Sequence, residues 1–161
     1  MLLAALTLFF ATTFPATSTT GWMRPEVFHL TIGMKRAAAE KSLRDGGWEV
    51  KKGKDENQVV IDYTNERALT LDFHQERLRS IRFELFAPLG DGLKKAFAEE
   101  KAYLKKSLGA PKKKLVPSIL LYDHTLPNVM VVLQNDPKSE NGKQGIGFLA
   151  VRYYDPRGAD Q

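Results

Sequence analysis

The stretch NQVVIDYTNERALTLDFHQERLRSIRFELF, residues 57–86, carries the clearest periodicity of the chain. Val59, Ile61 and Tyr63, then Leu69, Leu71 and Phe73, then Ile81, Phe83 and Leu85 take every second position. That is the period of strands that bury one face and leave the other to solvent. Asn65-Glu66 and Gln75-Glu76 separate the runs by two residues each, the length of a tight hairpin. Residues 57–64, 67–74 and 77–86 are therefore expected to form an antiparallel meander, with residues 48–52 as a strand ahead of them.

Ahead of these strands a helix is expected over 34–45. Met34 and Ala38, and Ala39 and Leu43, stand at i,i+4, and Gly46-Gly47 supplies a left-handed stop. Residues 27–32 read as a short extended lead-in ending at Gly33. Beyond the meander the pattern restarts. Asp91 is the expected N-cap of a helix to Leu108, with Leu93, Phe97, Leu104 and Leu108 as its apolar stripe and Gly109 and Pro111 as its stop. Strands at 118–123, 128–135 and 146–155 follow, the last two joined by a long loop, 136–145. The expectation is a two-layer α+β domain of two tandem helix-plus-meander repeats, about 28–86 and about 91–155. Two helices cover one face of a roughly seven-stranded antiparallel sheet, and the expected core contains Leu43, Ile61, Leu71, Phe83, Phe97 and Leu104.

Composition narrows the function classes. The 161 residues are 43% hydrophobic and 27% charged, which suits one globular domain. The absence of cysteine excludes disulfide frameworks, cysteine-based zinc sites, thiol nucleophiles and a lipid-modified cysteine. A net charge of +5 is too small to demand nucleic acid as a partner. Residues 1–23 carry no charged side chain, and 2–11 form an apolar run half as long as the roughly 20 residues needed to span a bilayer. A small, polar run, 15–21, follows, with Ala16 and Ser18 placed to flank a cut. Residues 1–18, or 1–21 in the longer reading, are expected to be a signal peptide. The single domain then covers 24–157, and the address is the periplasm or the cell exterior. The leader lacks its usual opening cations, so an uncleaved anchor or a buried N-terminal element is the alternative.

Leu30-Thr31-Ile32-Gly33-Met34, the helix residues Ala38-Ala39-Glu40-Lys41-Ser42-Leu43 and Gly47-Trp48 resemble the opening of the β-lactamase-inhibitor-protein-like superfamily. That group includes small outer-membrane assembly lipoproteins of the SmpA/OmlA type. Leu108-Gly109-Ala110-Pro111 resembles the helix ending of the same repeat. The resemblance covers about 28–155 in layout and implies a non-enzymatic, protein-binding molecule of the envelope or exterior, inhibitory in some relatives. There are two departures: no lipobox cysteine is present, and each repeat has one long helix where the inhibitor proper has a helical pair.

Chemical signatures are sparse. Asp72, His74 and His124 are the only candidates for a small hydrolase, with no spacing that fixes an acid/base couple or a zinc site. Nucleophile motifs such as Gly-x-Ser-x-Gly are missing, and Gly142, Gly145 and Gly147 precede a strand rather than the helix a phosphate loop requires. No cofactor or metal is expected. Lys105, Lys106, Lys112, Lys113 and Lys114 cluster at the end of the second helix and the loop beyond it. There they complement the helix's negative end and offer peripheral contact with an anionic membrane.

The most informative set is the strand phase opposite to the core. In the first meander it is polar: Val60, Asp62, Thr70, Asp72, His74, Arg82, Glu84 and Phe86. In the second it gathers Met130, Val132, Phe148, Arg152 and Tyr154, with Gln134 beside them. Aromatics, Met and Arg on an open surface are what protein interfaces enrich, so these five are the expected partner-binding residues. The alternatives are that the N-terminal segment or the long loop covers them, or that the strand phase is off by one. The expected activity is protein binding. A ligand or lipid carrier using the open face, and the hydrolase, are the alternatives.

Overall fold

The computed structural model describes residues 18–64, 66–116, 118–122 and 127–158. Its two helices are α1 (Arg36–Asp45) and α2 (Asp91–Leu108). The strands are β1 (Lys51–Lys52), β2 (Gln58–Thr64), β3 (Arg67–His74), β4 (Arg77–Pro88), β5 (Lys113–Val116), β6 (Ile119–Tyr122), β7 (Asn128–Gln134) and β8 (Ile146–Tyr154). All eight join one antiparallel sheet in the order β1-β2-β3-β4-β8-β7-β6-β5. The sheet is one strand wider than expected. β5 lies where the sequence reads as a lysine-rich loop, and it closes one edge as the two-residue, two-lysine β1 closes the other. Charged edges of this kind resist pairing with another chain.

Local chemistry explains the element ends. The carbonyls of Leu43 and Arg44 accept from the Trp48 and Gly47 amides, 3.0 and 2.9 Å away, while Gly47 takes φ 82°, which closes α1 in a Schellman motif. Two expectations fail at helix starts. Met34 lies outside α1, and Asp91 is the first helical residue rather than the cap, a place taken by Gly90 at φ 141°. The expected strand or extended lead-in over 27–32 opens instead in a 3-10 turn, Pro25–Phe28, because Pro25 at its first position presets the helical φ. Gln75 and Glu76 both adopt left-handed φ, 49° and 57°, the type I′ geometry that matches strand twist. Gly147 passes β8 beneath the start of α2, where a Cβ would collide with the Gln134 carbonyl oxygen.

Ala39 and Leu43 from α1, Leu93 and Leu104 from α2, and the inward residues of β2–β4 and β6–β8 form one core on one sheet face. Leu43, Ile61, Leu71, Phe83 and Leu104 are buried as expected, whereas Phe97 and Leu108 only flank the core. The buried stripe of α2 runs Leu93, Ala96, Glu100, Leu104. Small Ala96 brings the helix close to the sheet, and Glu100 turns inward to meet a cation that approaches from residues 20–24. Leu104→Ala is accordingly expected to cost about 2–5 kcal/mol, and Phe97→Ala clearly less, in chemical denaturation of the two variants.

That cation arrives with the largest departure from expectation. The folded unit does not begin at residue 24, because residues 18–30 form a strap packed against α2 and the sheet. Trp22 and Met23 are 1% and 0% exposed, and Thr20, Phe28 and Leu30 are buried with them. Trp22 meets Phe83 edge-on at 5.7 Å, and Phe28 and Tyr153 flank the same Phe83 ring at 5.7 and 6.0 Å. The strap therefore lies on the helix side of the sheet, leaving the opposite face free of it.

Candidate functional site

The sheet face away from the helices is built row by row from strand register. One row runs Lys51, Val60, Thr70, Arg82, Arg152, Met130, Leu121, Lys113. The next runs Asp62, Ala68, Glu84, Ala150, Val132, Ile119. Side chains directly opposite in neighbouring strands share a face, so each row is a line of neighbours. Val129, Val131, Leu149, Val151 and Tyr153 are buried on the helix side, while Met130, Val132, Phe148, Arg152 and Tyr154 are half-exposed on the open side. The expected phase is correct in β7 and β8.

The five expected residues are shared between two adjoining hollows. Met130, Val132, Phe148 and Arg152 line a shallow hollow of about 200 Å³ with Arg82, Glu84 and Ala150. Phe86, assigned from sequence to the polar half, lies directly opposite Phe148, with the rings 6.2 Å apart. Tyr154 lines a separate hollow with Lys112, Lys113 and Leu121 at the β5 edge. The lysine cluster is thereby split. Lys105 and Lys106 stay in the last turn of α2, whereas Lys113 and Lys114 lie in β5, and Lys112 and Lys113 border the open face.

At the centre of the face Arg82 and Arg152 stand directly opposite each other on β4 and β8. Like charges so placed repel. Arg152 is oriented by its Nε, which donates to Ser80 Oγ at 2.8 Å, and its guanidinium carbon lies 5.4 Å from the Tyr154 ring centroid. Arg82 Nε lies 3.6 Å from Glu84 Oε2, an ion-pair distance too long for a hydrogen bond. No carboxylate among the described residues pairs with Arg152. The arrangement is an apolar and aromatic rim around two adjacent cations that share one acid.

A second, wider depression of about 610 Å³ adjoins it over β1–β4 and shares Arg82 and Glu84. Within it Lys51 lies 3.2 Å from Asp62, and Gln58 of its lining donates to Asp72 at 2.9 Å. Asp72 is engaged by Gln58, His74 sits at the β3–β4 hairpin opposite Arg77, and His124 lies outside the described residues. A pocket of about 250 Å³ between α2 and the ends of β7 and β8, lined by Tyr103, Leu104, Leu108, Val129 and Tyr153, falls below the 300–1,000 Å³ common for small-molecule sites.

Sequence reasoning missed Ile119 and Leu121 on the open face. It also missed the pairing of the two arginines, which requires knowing that β4 and β8 are neighbours. Compared with known proteins, the chain matches no family, no curated protein and no solved structure at significant similarity.

Proposed function

We propose that the chain is an exported, non-enzymatic protein-binding module whose open sheet face docks another protein of the envelope or exterior. The observation that carries this reading is the apolar rim of Met130, Val132, Phe148 and Phe86 set against the opposed Arg82 and Arg152 on the face the helices leave uncovered. Aromatic, Met and Arg side chains are the types that anchor protein interfaces, and a second cation with no acid of its own among the described residues favours a partner that presents a carboxylate there. Two tandem repeats are part of the same proposal. The order of elements supports them: each helix is followed by four meandering strands, and the last strands of the two sets, β4 and β8, pair at the middle of the sheet. A two-repeat layout is also what the inhibitor-like resemblance implies, and inhibition of a partner enzyme belongs to that proposal.

The lysines act differently in this reading. Exposed Lys112 and Lys113 at the β5 edge and Lys105 and Lys106 at the end of α2 raise the rate of encounter with acidic partners or anionic membranes, and their effect weakens with salt. The test begins with a photoreactive residue at position 132 of the exported chain, which captures the partner in place. Affinity is then measured for Phe148→Ala, Arg152→Ala and a Lys112, Lys113, Lys114 triple alanine variant at low and high salt. Phe148→Ala or Arg152→Ala is expected to cost about 2 kcal/mol or more, roughly 30-fold in Kd at either salt. The lysine variant should lose affinity mainly at low salt. If it abolishes binding while both other variants retain it, the open-face reading is wrong.

A further inference from the structure

We propose that the Ser18–Thr19 peptide bond is a processing site and that Glu99 on α2 is the receptor for the α-ammonium released at Thr19. The Thr19 amide nitrogen lies 3.3 Å from Glu99 Oε2, and the Thr20 amide and hydroxyl reach Oε1 at 3.3 and 3.2 Å. The Ser18 hydroxyl donates to the same carboxylate. One side chain thus gathers the strap at the point where the sequence changes from a leader-like run to a core element.

Burial fixes the cut from the inner side. Thr20, Trp22 and Met23 are buried, so cleavage beyond Thr20 would remove part of the core, whereas Thr19 is exposed and Ser18 half-exposed. Sequence fixes it from the outer side: Ala16 and Ser18 are the small residues that a leader peptidase requires before the scissile bond. In the cleavage, water adds across the amide. Its hydroxyl goes to the Ser18 carbonyl carbon, the carbon–nitrogen bond breaks, and the Thr19 nitrogen takes the proton and then a second one from solvent. The new Ser18 carboxylate leaves with the leader, and so removes a charge that would repel Glu99. A single N–H donor becomes a cation beside an anion, and hydrogen bonds between charged groups are the stronger kind.

Glu99 is prepared for this role. In the uncleaved chain burial opposes its ionisation, yet the hydrogen bonds from Ser18, Thr20 and Thr19 outweigh that cost and hold its carboxyl below the usual carboxylate range; cleavage removes the Ser18 donor and puts the Thr19 ammonium beside the same carboxylate. The charged and titratable groups that meet the strap are Glu99, Glu100 and Tyr103 on α2, Tyr153 on β8 and Arg67 on β3. An ammonium paired with Glu99 titrates above the ordinary α-amino value of about 7.7–8.0. Its contribution to stability is full below that value and is lost as pH rises through the folded pKa.

The full chain is expressed with its own leader in a secreting bacterial host, and the mature N-terminus is read by intact mass and N-terminal sequencing. Labelling of its α-amine by an amine-reactive ester at pH 7 is then compared among the wild type, Glu99→Gln, and a chain that begins two residues earlier at Thr17. The expected result is a mature chain starting at Thr19 whose α-amine reacts about tenfold more slowly than that of the Thr17 chain, the effect of a one-unit shift. Glu99→Gln should abolish the difference. A mature terminus at any other residue, a Thr19 amine as reactive as the Thr17 amine, or slow labelling that persists in folded Glu99→Gln overturns the proposal.

Discussion

Replacing Trp22 with alanine is expected to destabilise the fold by about 3–5 kcal/mol, as much as truncating any aromatic residue in the core. The indole is fully buried and stands edge-on to Phe83, with the Arg67 guanidinium carbon 5.4 Å from its ring centroid. Its removal opens a cavity where strap and sheet meet, and the strap cannot collapse into it because the Tyr153 hydroxyl holds the Met23 carbonyl at 3.1 Å. A domain of this size has only about 5–15 kcal/mol in total, so the variant should unfold at much lower urea and approach marginal stability at 37 °C. Urea denaturation followed by far-UV circular dichroism gives the number. A cost below about 1 kcal/mol would mean that residues 18–24 do not pack on the sheet in solution.

The strap shows why part of this fold was hard to read. Residues 18–23 are small, uncharged or apolar and follow an apolar run, so by composition they continue the leader-like segment. Nothing local distinguishes Trp22 and Met23 as core residues, since their partners, Phe83 and Tyr153, are 61 and 130 positions away from Trp22 and Met23 respectively. The first half of the sheet was legible because alternation is a local property: β2, β3 and β4 each announce their buried face in a few residues. β5 was not, because Lys112-Lys113-Lys114 has no apolar alternation, and an edge strand needs none.

The open face was legible to the same depth. Strand phase alone put Met130, Val132, Phe148, Arg152 and Tyr154 on the side away from the helices. Phase fails in β6, where Ile119, Leu120, Leu121 and Tyr122 are all apolar and either face looks like core. It also says nothing about which strands are neighbours. The opposition of Arg82 and Arg152, the division of the five residues between two hollows and the approach of Lys112 and Lys113 to Tyr154 all depend on register between distant strands.

Glu100→Ala is expected to cost about 3–5 kcal/mol, because it leaves the Arg24 guanidinium buried without its acid. Arg24 Nη1 donates to Glu100 Oε1 at 3.0 Å and to the Met23 carbonyl at 2.8 Å, Nη2 lies 2.8 Å from Oε2, and the guanidinium carbon stacks 3.6 Å from the Tyr103 ring centroid. Burial pushes the Glu100 carboxyl above the usual range, with Arg24 only partly offsetting it, so its desolvation is the larger effect. The neighbouring Glu99 shifts the other way, because hydrogen bonds from the strap overcome its burial. The signs separate the two. The raised group favours folding fully below its unfolded pKa and loses that contribution as pH rises through its folded value; the lowered group favours folding above its unfolded pKa and loses it as pH falls through its folded value. A pH series of urea midpoints from 3 to 7 should therefore change slope in opposite senses in Glu100→Gln and Glu99→Gln. The decisive variant is the pair Arg24→Met with Glu100→Leu. Replacing a buried ion pair with apolar groups of similar size is commonly neutral or stabilising, so the double variant should regain most of what Glu100→Ala loses. If it is as unstable as the single variant, the cost comes from lost packing around α2 rather than from a stranded charge.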